Sequence, residues 1–191
     1  MNKKVLFITD SLEDLDLKKD TSILMMEESI KLGFDVYQCL VEDLYAENNE
    51  VIVFAKKITT VSTSEIKFED ASTHSIKTFE YSFMRKDPPV DEDYMNALHL
   101  LGLAQAMGTK VFNNPVSIKE FNEKVFAIHF AKYIPETLIS SKIDKIKSFI
   151  KDKKEIVVKP LDGMGGKSIY KMDKIQDLSL IHISEPTRRK R

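Results

Sequence analysis

The stretch Ile156-Val157-Val158-Lys159-Pro160-Leu161-Asp162-Gly163-Met164-Gly165-Gly166-Lys167-Ser168-Ile169-Tyr170 organises the reading of this chain. Ile156, Val157 and Val158 are β-branched and apolar, which predicts a short strand. Lys159 ends that run, and Pro160 bars a helix from crossing it. Gly163, Gly165 and Gly166 follow within four positions. Such a loop reaches positive φ and brings bare backbone N–H groups close to an anion. Ser168 to Tyr170 reads as extended again. The stretch therefore predicts a hairpin that folds over a polyphosphate, with Lys159 supplying positive charge. On these residues alone, an ordinary turn with a solvated lysine stays open as the alternative.

Two better-known phosphate loops do not fit. The P-loop pattern needs a glycine where Leu161 stands, although Gly166-Lys167-Ser168 matches its end. The dinucleotide fingerprint started at Gly163 needs a third glycine where Ser168 stands. Both of those loops open a helix, and an extended Ser-Ile-Tyr does not.

The run from Lys159 to Gly166 resembles the ATP-covering loop of the prokaryotic glutathione synthetases, which are ATP-grasp ligases. Three further stretches resemble the same family: Lys18-Lys19-Asp20-Thr21-Ser22, Met84-Arg85-Lys86-Asp87-Pro88-Pro89 and Asn122-Glu123-Lys124-Val125-Phe126. The four lie in the family's order and cover roughly residues 1–178. The resemblance implies a Rossmann-like α/β pre-ATP-grasp domain with a parallel sheet over 1–122. It implies the start of an α+β ATP-grasp domain over 123–178.

The same resemblance implies an activity: ATP-dependent ligation of γ-L-glutamyl-L-cysteine and glycine to glutathione, through an acyl-phosphate. Lys124 and Lys159 would reach the ATP phosphates, and Asp162, Gly163, Met164, Gly165 and Gly166 would close over them. Asp20, Ser22, Arg85, Lys86 and Asp87 would face the peptide substrate. Arg85 and Lys86 would meet a carboxylate, and Asp20 or Asp87 an amino group; a structural ion pair between loops is the alternative for either pair. No residue is assigned to bond-making catalysis or to a metal. Magnesium ligands are expected downstream of the glycine loop, beyond this chain's end, and a truncated product inactive by itself is expected. Full-length members are expected to be homo-oligomers. Another ATP-grasp carboxylate–amine ligase, or a non-catalytic α/β fragment, are the competing readings.

Composition agrees with a cytoplasmic protein. The chain has 191 residues, 42% of them hydrophobic, and a net charge of −1, which exerts no global pull toward nucleic acid. No apolar run approaches the roughly 18 residues that a membrane span needs. The basic, apolar start is interrupted by Asp10 too soon for a signal-peptide core. A single cysteine, Cys39, excludes an internal disulfide and suits a reducing compartment. The segment 179–191 departs from the family pattern and looks like translated sequencing adapter. Leaving out its four basic residues and one acidic residue takes the net charge from −1 to −4.

Periodicity supplies the elements. Val5 to Thr9 predicts a buried strand, and Asp10 to Asp20 a loop at its carboxyl end, where open α/β sheets face their ligands. A helix from Ser22 ends at Gly33, and a strand follows over 34–41. Residues 43–60 predict a hairpin about Asn48-Asn49. Residues 62–78 give no clear pattern. A strand over 79–84 leads into Arg85-Lys86-Asp87. Asp91 caps a helix whose buried face is Tyr94, Ala97, Leu98, Leu101 and Ala104. Lys110 to Asn113 is a short strand. Ser117 to Glu120 matches a capping box, which predicts a helix from there to about Phe130 carrying Lys124. Leu138 to Ser140 reads as extended, and Ile143, Ile146 and Ile150 mark a last helix. The four histidines show no metal-ligand spacing with Cys39.

Overall fold

The computed structural model describes residues 2–153, 155–161 and 169–172. The predicted glycine loop, Asp162 to Gly166, and the tail 179–191 lie outside the described residues. The chain divides into two compact units, Met1–Glu120 and Phe121–Arg191.

The first unit is built on a mixed sheet. Its strands are β1 (Lys4–Ile8), β2 (Asp35–Cys39), β3 (Leu44–Glu47), β4 (Glu50–Val61), β5 (Ile66–Phe68), β6 (Ser72–Ser75), β7 (Tyr81–Met84) and β8 (Val111–Phe112). The order is β3-β4-β2-β1-β7-β8, with β5 and β6 both paired to β4. Four strands, β2-β1-β7-β8, run parallel. The long β4 joins β2 antiparallel and extends the sheet beyond them. Residues 62–78 defeat sequence reading because β5 is only three residues long and β6 is polar, and both exist by pairing with β4.

Helix α1 (Thr21–Lys31) covers one face and α2 (Glu92–Ala106) the other. The strand β1 shows why both faces are dry. Its Val5 and Phe7 pack with Ile23 and Met26 of α1, while Leu6 and Ile8 pack with Leu98 and Leu101 of α2. A strand buried on both sides reads as a continuous apolar run, as Val-Leu-Phe-Ile does. Phe7, Phe83 and Phe112 stack across β1, β7 and β8 at centroid spacings of 5.1 and 5.7 Å. The five expected core positions of α2 are all buried. Cys39 is buried in the same core.

Local chemistry sets the element ends. Asp91 accepts from the Tyr94 amide and caps α2, and Asp20 does the same for α1 through the Ser22 amide. Gly33 and Gly108 follow the two helices at φ +83° and +98°, the left-handed region that ends a helix cheaply only with glycine. Asn48 and Asn49 sit at φ 48° and 63° between β3 and β4, as a two-residue hairpin requires.

One expectation fails near the unit boundary. The helix predicted from Ser117 to Phe130 is three pieces: α3 (Pro115–Glu120), α4 (Glu123–Phe126) and a 3-10 stretch over Ala127–Tyr133. Asn114, not Ser117, provides the cap of α3, accepting from the amides of Val116 and Ser117. Pro115 then occupies the first helical position, where its missing N–H costs nothing. Asn122 opens a second start by accepting from the amides of Lys124 and Val125. Asparagine competes with the helix for backbone groups, so it divides what apolar spacing alone joins.

The second unit also contains α5 (Ile143–Asp152), β9 (Ile156–Val158) and β10 (Tyr170–Met172). Strands β9 and β10 pair antiparallel, Val158 opposite Tyr170 and Ile156 opposite Met172. The expected hairpin frame is therefore present on either side of the glycine stretch. Leu138 to Ser140 pairs with no described strand.

Candidate functional site

In the first unit, two loops distant in sequence meet beyond the carboxyl ends of the parallel strands. Strand β7 runs into Arg85, whose amide donates to the Ile8 carbonyl at 2.8 Å and continues the ladder with β1. That bond aims the Arg85 side chain at the start of α1. Its Nη2 donates to Thr21 Oγ1 at 2.7 Å and its Nε to Ser22 Oγ at 3.3 Å. The expected groups Asp20-Thr21-Ser22 and Arg85-Lys86-Asp87 are thus adjacent. Among the described residues no carboxylate forms an ion pair with Arg85. The Asp20 carboxylate is turned to the helix instead, accepting from the Ser22 amide at 2.6 Å.

Lys86 is held differently. Its Nζ lies 2.7 Å from Asp10 Oδ1 and donates to the Asp87 carbonyl at 2.7 Å. Asp10 Oδ2 accepts from the Asp87 amide at 3.0 Å. One carboxylate thereby fixes a cation and the backbone of the following loop. Asp10 is itself steadied from below: buried Gln38 donates to Thr9 Oγ1 at 3.1 Å and to the Asp10 carbonyl at 3.3 Å. Asn113, past β8, donates to the Met84 carbonyl at 3.3 Å. Burial, followed by the nearby Asp87 charge, raises the Tyr94 phenol above its ordinary pKa.

Sequence reading gave Asp10 no role beyond opening a loop. The available signal was its position, the first charged residue after a buried strand. Ser22 is 1% exposed, so its hydroxyl serves as an acceptor behind Arg85.

In the second unit, Lys124 lies on α4 and Lys159 follows β9. Lys124 Nζ is 2.8 Å from Glu123 Oε1 and 3.4 Å from the Leu161 carbonyl. Leu161 is two residues beyond Lys159, at the mouth of the glycine stretch. The Lys124 bond holds the Glu123 carboxyl below its ordinary pKa. Asn122 donates to the same Leu161 carbonyl at 2.9 Å. Lys159 is exposed. Among the described residues no cluster of three or more His, Cys, Asp or Glu side chains could hold a metal ion, and no helix is long and apolar enough to cross a membrane.

Two consecutive family models match the chain. The N-terminal domain of prokaryotic glutathione synthetase matches residues 3–119, and the ATP-grasp domain of prokaryotic glutathione synthetase matches residues 123–190. The chain belongs to the prokaryotic glutathione synthetase family. A glutathione synthetase of Neisseria meningitidis is 33% identical over 175 residues, covering 88% of this chain and 55% of that protein. One from Buchnera aphidicola is 32% identical over 175 residues, covering 91% and 55%. This family member thus spans about half the length of the relatives it matches. A crystal structure of D-alanyl-alanine synthetase A from Vibrio cholerae shares the fold, with a TM-score of 0.53 at 15% identity over 95% of this chain and 56% of that one.

Proposed function

We propose that the whole protein of which this chain is part is an ATP-dependent carboxylate–amine ligase. It joins γ-L-glutamyl-L-cysteine to glycine, giving glutathione, ADP and phosphate. The observation that carries this reading is the pair of family matches in sequence order, over 3–119 and 123–190.

Such a ligase must activate an unreactive carboxylate by phosphorylation. It has to offset the charge of a triphosphate and keep water from the activated acid. We assign Lys124 and Lys159 to the ATP phosphates, as compact charges with three donors each. The residues present fit a triphosphate in kind: Lys124 reaches the Leu161 carbonyl, Lys159 lies two residues before Leu161 in the chain and is exposed, and a glycine-rich stretch follows in the sequence. Asp162, Gly163, Met164, Gly165 and Gly166 are assigned to cover the phosphates.

Recognition of the acid substrate is assigned to the first unit. Arg85 takes its carboxylate, since a guanidinium held by two hydroxyls keeps further donors in a rigid fork. Lys86 shapes the loop through Asp10, while Ser22 orients Arg85. Asp20 or Asp87 receives the substrate ammonium, Asp87 being the more exposed. Magnesium, when bound with ATP, offsets phosphate charge; no residue described here is assigned to it. A cytoplasmic location and homo-oligomeric assembly belong to the same reading.

The test is ADP release by the full-length protein, screened against several acid and amine pairs. Release that requires both γ-glutamylcysteine and glycine is the expected result. A preference for another pair would move the protein to a different ATP-grasp ligase. In calorimetric ATP titrations Lys159→Ala raises the ATP dissociation constant about tenfold or more, the effect of losing one charge-assisted hydrogen bond. An unchanged constant would remove Lys159 from the phosphate site.

A further inference from the structure

We propose that Asn122 is a positioning residue for nucleotide binding: it sets Lys124 against the stalk of the glycine hairpin. The inference rests on the assignment of Lys124 to ATP made above. Three bonds converge on this one amide. Its Oδ1 accepts from the Lys124 amide at 3.0 Å and the Val125 amide at 3.2 Å. Its Nδ2 donates to the Leu161 carbonyl at 2.9 Å. Backbone N–H groups only donate and a carbonyl only accepts, so the orientation of the amide is fixed by its partners.

Helix α4 has four residues and none is buried. Phe126 at its end packs against the rings of Phe121, His129 and Phe130, but a helix this short is not stable by propensity. The cap and the tether fix its start, where Lys124 lies. The tether ends on Leu161, between Lys159 and the glycine stretch. A single side chain thus links the backbone that carries one phosphate lysine to the strand end that carries the other. Aspartate and serine also cap helices, but neither offers an amide donor at this reach. The family matches point to no such role for Asn122, and sequence reading used it only as part of a motif.

The experiment uses the full-length protein with Asn122→Ser, Asn122→Ala and Lys124→Ala. Serine keeps the cap and adds no charge beside the phosphates. Asn122→Ser is expected to raise KM for ATP about fivefold to tenfold, the loss of a bond to one carbonyl expressed through a charged partner. KM for glycine should stay within about twofold, which a general loss of structure would not allow. Asn122→Ala should raise KM for ATP further, and a thermal melt of each variant checks folding. Lys124→Ala raising KM for ATP while both Asn122 variants leave it unchanged would overturn the positioning role alone. No effect from Lys124→Ala would overturn the phosphate assignment and this inference together.

Discussion

At the scale of single residues, the two cations of the Arg85-Lys86-Asp87 loop part company. Lys86 is paired with Asp10, whereas Arg85 rests on the hydroxyls of Thr21 and Ser22. A carboxylate ligand would have to compete with Asp10 for Lys86 but meets no such rival at Arg85. Arg85→Lys is accordingly expected to raise KM for the acid substrate about tenfold and leave KM for ATP within twofold, because an ammonium cannot reproduce a planar fork. Steady-state kinetics of the full-length protein check it, and equal rises in both constants would argue for a purely structural arginine. The adjacency of these loops was legible in their shared strand-end position. The division of labour between Arg85 and Lys86 was not, because it depends on Asp10, 75 or more residues away in the chain.

At the scale of elements, caps decide more than apolar spacing does. Helix α2 was readable because Asp91, a five-residue buried face and Gly108 agree on one helix. Asp91→Ala is expected to cost about 1 kcal/mol, and Asp91→Asn much less, since asparagine caps as well. Urea unfolding distinguishes the two; equal losses would mean that the carboxylate acts by charge rather than as a cap. The helix expected from Ser117 was misread because Asn114 and Asn122 each offer a cap, and two caps make two helices. The hairpin β9–β10 was readable from its β-branched run and its glycines.

At the scale of the whole molecule, acid is expected to weaken the first unit in two stages. His74 lies edge-on to Tyr37 and Phe79, at 4.9 and 5.7 Å between ring centroids. Burial, then the Lys4 charge, pushes its pKa below the ordinary 6.5. The folded state then binds the proton less readily than the unfolded chain. Stability is full above about 6.5 and falls as the pH drops through the folded pKa. The second stage comes from Glu50 and Glu80, whose carboxyls are held below the ordinary 4.5 by bonds from Lys77 and Lys110. Their contribution is present above 4.5 and is lost beneath it. Thermal melts from pH 8 to 3 should show both steps, and His74→Gln should remove the upper one. A melt that is flat between pH 7 and 5 in the unaltered protein would contradict this account of His74.

By itself the sequence determined the parallel core strands, the two long helices, the glycine hairpin's frame and the family, because each is written in contiguous residues whose periodicity and turn chemistry are local. Only the tertiary structure decided that β4 would recruit two short strands, that Asp10 would hold Lys86, and that Asn122 would tie α4 to Leu161. Those outcomes depend on hydrogen-bonding groups that find partners outside their own element. A side chain's choice among such partners is set by which backbone the fold brings within about 3 Å, and spacing in one dimension does not record that distance.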